Sequence, residues 1–148
     1  MEAVVFIGVQ GSGKSSFFKE RFFTTHLRIS LDLLKTRNRE KRLLDVCLGT
    51  DQRFVIDNTN ATRAERVNYI GAAKAARFQV VGYYFQSKIE DCLRRNGNRT
   101  QAERVPDVAI YSTAKKLELP TREEGFDKLF YVRIENGQFF VEDWCDEV

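Results

Sequence analysis

One eight-residue segment near the start of the chain constrains the fold more than any other feature. Residues 8–15 read Gly-Val-Gln-Gly-Ser-Gly-Lys-Ser, and they directly follow an apolar, β-branched run at residues 3–7. Such a run is typical of a strand buried on both faces, as in the centre of a parallel sheet. A segment of helical length, residues 13–23, follows the glycines. The sequence therefore predicts a strand, a glycine-rich loop and a helix, in that order.

The glycine spacing and the Lys-Ser pair indicate a phosphate-binding loop, or P-loop. Glycines let successive backbone N–H groups curl around phosphate oxygens, and the N-terminus of the helix adds positive potential. Lys14 is expected to reach the β- and γ-phosphates, and Ser15 to bind Mg²⁺. We therefore expect a nucleoside triphosphate site. Its predicted loop residues are Gly8, Gly11, Ser12, Gly13, Lys14, Ser15 and Ser16.

The rest of the chain alternates between strand and helix patterns. Short runs rich in β-branched and aromatic residues predict strands, whereas longer segments with apolar residues on one face predict helices. Further strands are predicted at residues 26–29, 54–56, 78–85, 129–134 and 138–141, the last two joined by an Asn-Gly hairpin turn. This order predicts an α/β fold with a mostly parallel central sheet and helices on both faces.

Capping and breaking residues predict where the helices begin and end. Thr62 and Ser87 each stand three residues before a Glu, which predicts a capping box and a helix start at both. Gly49 is a predicted helix stop, and Pro106 a predicted first turn. The predicted helices cover residues 13–23, 33–48, 62–76, 87 into the arginine-rich stretch 94–104, and 106–117.

Composition places the chain among ordinary globular proteins. Its 148 residues are 43% hydrophobic and 30% charged, which suits one domain over residues 1–148 and excludes collagen-like, coiled-coil and disordered classes. No apolar run has the length of a membrane span, and no basic segment precedes the first apolar run. Cys47, Cys92 and Cys145 lack the spacing of a disulfide framework or a zinc site. We therefore expect a cytoplasmic protein, from a bacterium or a phage-infected cell.

A triphosphate site alone is compatible with kinases, GTPases and motor ATPases. The chain has no Asn-Lys-x-Asp motif for reading guanine, and it is short for a motor. A small phosphotransferase that uses ATP with Mg²⁺ is therefore the leading class. Lys and Arg outnumber Asp and Glu by 21 to 13 over residues 1–120, which favours an anionic partner.

Two carboxylates are candidates for work beside the phosphates. Phosphoryl transfer to a hydroxyl needs a carboxylate that orients the acceptor oxygen and takes its proton. Asp32 and Asp57 each follow a predicted strand, at the sheet edge where α/β proteins bind ligands. Local sequence leaves two interpretations of each. Asp32 is an acceptor base or only a helix cap, and Asp57 holds Mg²⁺ beside Ser15 or only stabilises its loop.

Several segments together resemble the polynucleotide 5′-hydroxyl kinase branch of the P-loop kinases. They are the P-loop, Ile-Ser-Leu-Asp at 29–32, Val-Ile-Asp-Asn-Thr-Asn at 55–60, Arg-Asn-Gly-Asn-Arg at 95–99 with Val-Pro at 105–106, Glu-Leu-Pro at 118–120 and Glu-Gly-Phe-Asp at 124–127. The P-loop is very widespread, whereas Asp-Asn-Thr-Asn combined with the later arginines is much narrower. The resemblance covers nearly the whole chain. It implies a P-loop NTPase fold of the kinase type with an arginine-bearing lid and a C-terminal hairpin.

The same resemblance implies an activity and roles for individual residues. The activity is transfer of the γ-phosphoryl group of ATP, with Mg²⁺, to the 5′-hydroxyl end of DNA or RNA, as in nucleic-acid end repair. Asp32 is implied as the general base, and Lys14, Arg95 and Arg99 as catalytic groups, the two arginines forming a lid over the ATP phosphates. The expected acceptor-binding residues are Asp32, Lys35, Arg37, Asp57 and Asn58, and the expected metal-binding residues are Ser15 and Asp57.

One position departs from the family pattern. The family commonly has Arg three residues after the catalytic Asp, and Lys35 stands there. Lysine supplies charge without a bidentate fork, so the grip on an acceptor phosphate is weaker or shared with Arg37 or Arg39. The basic cluster over residues 28–42 suits a nucleic-acid backbone, but a solvated helix face has the same composition. Two alternatives stay open: a kinase of a small metabolite or nucleoside, and a non-catalytic, NTP-binding regulatory module, toxin-like or a partner subunit.

Two further features favour structural roles. His26 is the only histidine, which argues against a site built from histidines. Four phenylalanines pair along the first predicted helix: Phe17, Phe18, Phe22 and Phe23. Core packing is their expected role, with stacking of one exposed ring on a base as the alternative.

Overall fold

One sheet of six strands forms the centre of the molecule. A computed structural model describes residues 1–146, and within them the strands are β1 Glu2–Ile7, β2 Leu27–Ile29, β3 Phe54–Ile56, β4 Gln79–Phe85, β5 Lys128–Glu135 and β6 Gln138–Asp143. Their order across the sheet is β2-β3-β1-β4-β5-β6. Neighbouring strands are parallel except for β5 and β6, which form an antiparallel hairpin. The predicted mostly parallel sheet and C-terminal hairpin are confirmed.

Helices cover both faces of this sheet. They are α1 Lys14–Arg21, α2 Leu31–Leu34, α3 Arg37–Gly49, α4 Arg63–Ala75, α5 Ile89–Gly97 and α6 Asp107–Lys116, with a 3₁₀ turn at Arg122–Glu124. Phenylalanines of α1 pack on one face with Val4 and Phe6 of β1. Leu44 of α3 and Ile70 of α4 pack on the other face with Val5. Both sides of β1 are therefore buried, as its unbroken apolar run predicts.

The helix predicted over residues 33–48 is wrong, because the segment is broken in two. Lys35 has a φ of 72°, and it ends α2 after a single turn. Thr36 then has extended backbone, and its hydroxyl accepts a hydrogen bond from Arg39 N at 3.2 Å, which caps α3. The apolar spacing continues across this corner, so periodicity gives no sign of it. The consequence is that Asp32 stands on a one-turn helix.

Ser87 does not form the predicted capping box. Helix α5 begins after Lys88, and Ser87 Oγ instead donates to Phe85 O at 2.8 Å and accepts from Val9 N at 3.1 Å. Ser87 therefore ties the P-loop to the end of β4. At Thr62 half of the predicted box forms: its hydroxyl accepts from the third backbone N–H of α4 at 3.2 Å, but Glu65 Oε2 accepts from Ala61 N at 3.1 Å and not from Thr62 N.

The expected core packing holds for three of the four phenylalanine rings, and the fourth is exposed, as the alternative allowed. Phe17, Phe18 and Phe22 are buried, whereas Phe23 is 71% exposed because α1 ends at Arg21 and Phe23 lies in the turn beyond it. His26 has a structural environment: its Nε2 lies 2.9 Å from Glu2 Oε1, and its ring meets the Phe22 ring edge-on.

Candidate functional site

The P-loop joins the end of β1 to the start of α1 through a tight turn. Gly11 and Gly13 have φ values of 84° and 100°, a region that favours glycine. A Cβ on Gly11 would lie 2.5 Å from the carbonyl oxygen of Cys92, so a side chain there would collide with α5. Ser12 N donates to Val9 O at 3.1 Å and closes the turn. The loop therefore has the fixed backbone that its glycine spacing predicts.

Lys14 is buried at the base of this loop. Its Nζ donates to Gly8 O at 2.9 Å and to Val9 O at 3.1 Å. Burial lowers the pKa of Lys14 to about 8; the carboxylates of Asp57 and Asp32 oppose this shift, while the Arg99 guanidinium adds to it. The ammonium thus lies within electrostatic reach of three charged groups that the sequence assigned to one site.

The loop also carries a hydroxyl that is suited to a ligand. Ser12 is 2% exposed, and its Oγ makes no hydrogen bond to any other part of residues 1–146. Buried hydroxyls in folded proteins are nearly always hydrogen-bonded to protein, water or ligand. Together with the glycine turn and the Lys14 ammonium, this hydroxyl fits the oxygens of a nucleotide phosphate.

Ser15 and Asp57 lie side by side, where the sequence expects Mg²⁺ to bind. Ser15 Oγ donates to Asp57 Oδ2 at 3.2 Å, and the Asp57 side chain is 2% exposed. Hydroxyl and carboxylate oxygens are the hard ligands that Mg²⁺ prefers, and the ion usually takes its remaining ligands from phosphates and water. These two residues therefore fit a metal ion shared with bound phosphates.

Arg28 contacts the same two side chains. Its Nε donates to Asp57 Oδ2 at 2.7 Å, and its Nη2 donates to Ser15 Oγ at 3.1 Å. The sequence places Arg28 only in a general basic cluster. Its place one residue before the end of β2 is the one local signal, since β2 lies beside β3 and Asp57 follows β3.

Adjacent strands bring the donor and acceptor candidates to one edge of the sheet. The order β2-β3-β1 places α2 with Asp32, then Asp57, then the P-loop, at the ends of three neighbouring strands. Asp57 N donates to Ile29 O at 2.8 Å, which continues the strand pairing to this edge. Asp32 itself is exposed. An exposed carboxylate at this edge is accessible to a second substrate.

The Asp-Asn-Thr-Asn segment after β3 fastens this edge together. Thr59 O accepts from Gly8 N at 3.0 Å, and Asn60 Nδ2 donates to Phe6 O at 2.7 Å, so both residues hold the end of β1. Asn58 Oδ1 accepts from Leu31 N at 2.9 Å, and its Nδ2 donates to Glu40 Oε2 at 2.9 Å. Both polar groups of Asn58 thus have internal partners, and its acceptor-binding role stays a prediction.

The predicted lid arginines lie at and after the end of α5. Arg95 Nη1 donates to Gly11 O at 3.2 Å, so this arginine touches the P-loop directly. Arg99 begins the connection to α6 and acts electrostatically on Lys14. Buried Asn96 ties the two ends of this connection, since its amide donates to Val105 O at 2.7 Å and accepts from Val105 N at 3.0 Å. Asn96 is a residue that the sequence reasoning missed, because its partner is nine positions away.

The remaining predicted residues lie around the acceptor side. Ser16 is exposed on α1, and Lys35 is exposed at the corner after α2. Arg37 is also exposed, and its Nη1 donates to Glu40 Oε1 at 3.1 Å and to Tyr69 Oη at 3.0 Å. Glu40 and Tyr69 are further residues that the sequence reasoning missed.

Comparisons with known proteins agree with this architecture. A family model described as an AAA domain, AAA_33, matches residues 4–120. The chain belongs to this family. A bifunctional polynucleotide phosphatase/kinase of Schizosaccharomyces pombe is 28% identical over 149 residues, covering 97% of this chain and 36% of the relative. A putative bifunctional polynucleotide phosphatase/kinase of Acanthamoeba polyphaga mimivirus is 29% identical over 135 residues, covering 86% of this chain and 32% of the relative.

The AAA-domain chain thus spans about a third of the length of these curated relatives. The resemblance to polynucleotide kinases that its motifs indicate is confirmed. That residues 1–148 form a single domain, and that the protein is cytoplasmic, stay predictions. Over residues 1–146, no helix combines the length and the apolar character needed to cross a bilayer.

Two solved structures share the fold. Chaetomium thermophilum Kti12, in complex with ADP-AlF3, aligns with a TM-score of 0.62 at 18% identity and covers 88% of both chains. A structure from the PezAT chromosomal toxin-antitoxin system of Streptococcus pneumoniae aligns with a TM-score of 0.55 at 14% identity, covering 88% of this chain and 67% of that one. The predicted P-loop NTPase fold is therefore confirmed.

Proposed function

We propose that the chain is an ATP- and Mg²⁺-dependent kinase that transfers the γ-phosphoryl group to the 5′-hydroxyl end of DNA or RNA, in nucleic-acid end repair. The observation that carries this proposal is the strand order β2-β3-β1, which aligns Asp32, Asp57 and the P-loop along one sheet edge. The polynucleotide phosphatase/kinase names of the two curated relatives support the choice of acceptor.

The donor side binds and orients ATP. Lys14 and the loop N–H groups hold the phosphates, and Arg95 and Arg99 close over them from the α5 side. Ser15 and Asp57 would hold Mg²⁺, and the bound ion would neutralise charge on the ATP phosphates. Such a site works by positioning and charge stabilisation, without a covalent intermediate on the protein.

The acceptor side supplies the base. The 5′-hydroxyl oxygen attacks the γ-phosphorus, the bond from that phosphorus to the bridging oxygen breaks, and ADP leaves with the electron pair. Asp32 orients the hydroxyl and accepts its proton on a carboxylate oxygen. Exposed basic residues that follow Asp32 in the chain, Lys35 and Arg37, then neutralise the acceptor backbone.

Two other functions each have one observation in their favour. Lys35 in place of an arginine suits a smaller acceptor that needs no bidentate phosphate grip, as in a metabolite or nucleoside kinase. The complex of Kti12 with ADP-AlF3 is compatible with a P-loop module of this fold that binds nucleotide for another purpose.

A labelled transfer assay tests the proposal. The protein is incubated with Mg²⁺ and γ-labelled ATP and with matched 5′-hydroxyl and 5′-phosphate oligonucleotides of DNA and RNA, and Asp32→Ala is the control. Label on the 5′-hydroxyl strand alone, lost in the variant, is the expected result. ATP binding without label on any oligonucleotide contradicts it. If oligonucleotides then fail to inhibit turnover of ATP, a small acceptor is favoured. If no acceptor increases that turnover, a binding module is favoured.

A further inference from the structure

The one-turn helix that carries Asp32 has little to stabilise it internally. Helix α2 contains four residues, far fewer than an isolated helix needs in water. Its N-cap residue, Ser30, is fully buried and of a good capping type, yet its hydroxyl makes no hydrogen bond within residues 1–146. Lys35, at the other end, adopts positive φ. Something outside α2 must therefore fix its orientation.

Asn58 provides that attachment. Its Oδ1 accepts from Leu31 N at 2.9 Å, which satisfies the first N–H of α2 from a neighbouring strand end. Leu31 is the residue directly before Asp32. The hydrogen bond therefore acts on the backbone next to the proposed base.

Asn58 is in turn oriented by a buried carboxylate. Glu40 is 4% exposed; its Oε2 accepts from Asn58 Nδ2 at 2.9 Å, and its Oε1 accepts from Tyr69 Oη at 2.6 Å. Arg37 Nη1 donates to the same Oε1 at 3.1 Å, so a charge partner compensates the buried carboxylate. Burial and the bond to Glu40 raise the pKa of Tyr69 to about 12, so the phenol keeps the proton that it donates.

We infer that Glu40, acting through Asn58, is a positioning residue that fixes α2 and with it the carboxylate of Asp32. The inference rests on the proposed function, because it assigns Glu40 to the acceptor side of that kinase site. The same carboxylate holds the guanidinium of Arg37, so it supports both the proposed base and a predicted acceptor-binding residue. Removing it is expected to misplace the base without disturbing the P-loop.

A swap of hydrogen-bond polarity tests the link. Asn58→Asp keeps an oxygen for Leu31 N but sets a carboxylate against Glu40. In Glu40→Gln, either the introduced NH₂ group faces the NH₂ group of Asn58, or one hydrogen-bond donor of the network loses its acceptor. In the double variant, the amide introduced at position 40 can donate to the second oxygen of the carboxylate introduced at position 58, and the net charge equals that of the natural protein. Asp45→Asn is the matched control, because Asp45 is an exposed carboxylate on the same helix.

The readouts separate catalysis from folding. Each single variant is expected to lower kcat for a 5′-hydroxyl oligonucleotide by about 10- to 100-fold, the scale of a small misplacement of a reacting group. The dissociation constant of ATP is expected to stay within about twofold, and the double variant to recover most of the lost kcat. Hydrogen exchange of the Leu31 amide is expected to accelerate in the single variants and to slow again in the double variant.

Four results would overturn parts of the scheme, and they are distinguishable. Unchanged exchange at Leu31 in both single variants refutes the attachment itself. Faster exchange with unchanged kcat refutes its role in catalysis, and equal losses of kcat and ATP affinity indicate general destabilisation instead. A natural protein that transfers no label to any oligonucleotide refutes the proposed function and the catalytic role of Glu40 together, while the Leu31 exchange rate still decides whether the attachment exists.

Discussion

The two halves of the candidate site are held in different ways. On the donor side, the P-loop is fixed largely by bonds within itself: Lys14 binds carbonyls five and six residues earlier, and Ser12 N binds Val9 O. On the acceptor side, Asp32 depends on contacts across 18 to 29 positions of sequence, from Leu31 to Asn58, Glu40 and Tyr69. The P-loop turn is therefore a local motif, although Asp57 and Arg95 reach it from distant parts of the chain, whereas the position of Asp32 is a product of the tertiary fold. A substitution in one half should therefore impair the function of that half and leave the other half intact.

The largest difference between the effect on kcat and the effect on ATP affinity is expected for a substitution of Asp32. Asp32→Asn keeps the size of the side chain but removes the proton acceptor, so kcat for phosphoryl transfer should fall by about 10²- to 10⁴-fold. ATP affinity should stay near that of the natural protein, because Asp32 is exposed and lies outside the P-loop. Single-turnover transfer and nucleotide titration measure the two quantities. A variant that transfers phosphate at the natural rate would eliminate Asp32 as the base.

A smaller effect is expected from the lid arginines on the donor side. Arg99→Gln should lower kcat by about 10²-fold, the usual loss when one donor to a developing charge is removed. Arg95→Gln should also weaken ATP binding, because Arg95 contacts Gly11 of the P-loop. Arg94→Gln is the matched control, since Arg94 is exposed and pairs with Asp91. Equal kinetics in all three variants would contradict a lid role.

The donor half alone should respond to pH through Lys14. Because its pKa in the free protein is about 8, the ammonium that binds phosphate is lost as the pH rises above that value. Bound phosphate favours the charged form, so the dissociation constant of ATP should increase with pH, by up to about tenfold per unit. Titration with a nucleotide at about pH 7.5 to 9.5, the range that brackets this pKa, measures the slope. Lys14→Ala should bind weakly with no such slope, and a slope retained in that variant would assign it to another group.

The difference between the halves also explains what the sequence could predict. The P-loop, both faces of the sheet and the positions of Asp32 and Asp57 directly after strands were predictable, because glycine spacing and apolar runs act locally. That these two strands are neighbours is known only from the fold. The corner at Lys35 was not, because the break depends on Thr36 capping α3 while the apolar spacing continues. In the sequence, Glu40 is only one acidic residue within the basic cluster over residues 28–42. Its burial beside Asn58 and Tyr69 arises from packing of α3 against α4 and the end of β3, for which a single sequence carries no local signal.

Ser87 shows the same limit of local sequence patterns, here for a pattern that is present but not used. Its spacing to Glu90 satisfies the capping-box pattern, yet its hydroxyl binds Phe85 O and Val9 N instead. Phe85 O is only two residues away, whereas Val9 N belongs to the P-loop and lies close only in the folded chain. A local pattern can therefore be present and unused when tertiary contacts offer the same hydroxyl a better set of partners.

The smallest effect is expected at Arg28, which belongs to the acceptor side in sequence but contacts the donor side in space. Its guanidinium holds Asp57 Oδ2 at 2.7 Å and Ser15 Oγ at 3.1 Å, the same oxygens that fit Mg²⁺. The positive guanidinium therefore competes with a divalent cation for this pair. Arg28→Gln should therefore lower the Mg²⁺ concentration at half-saturation of nucleotide binding by a few-fold, with Arg53→Gln, an exposed arginine just before β3, as the control. A higher Mg²⁺ requirement in Arg28→Gln would instead mean that the guanidinium orients Asp57 for the metal, and the separation between the two halves would end at that contact.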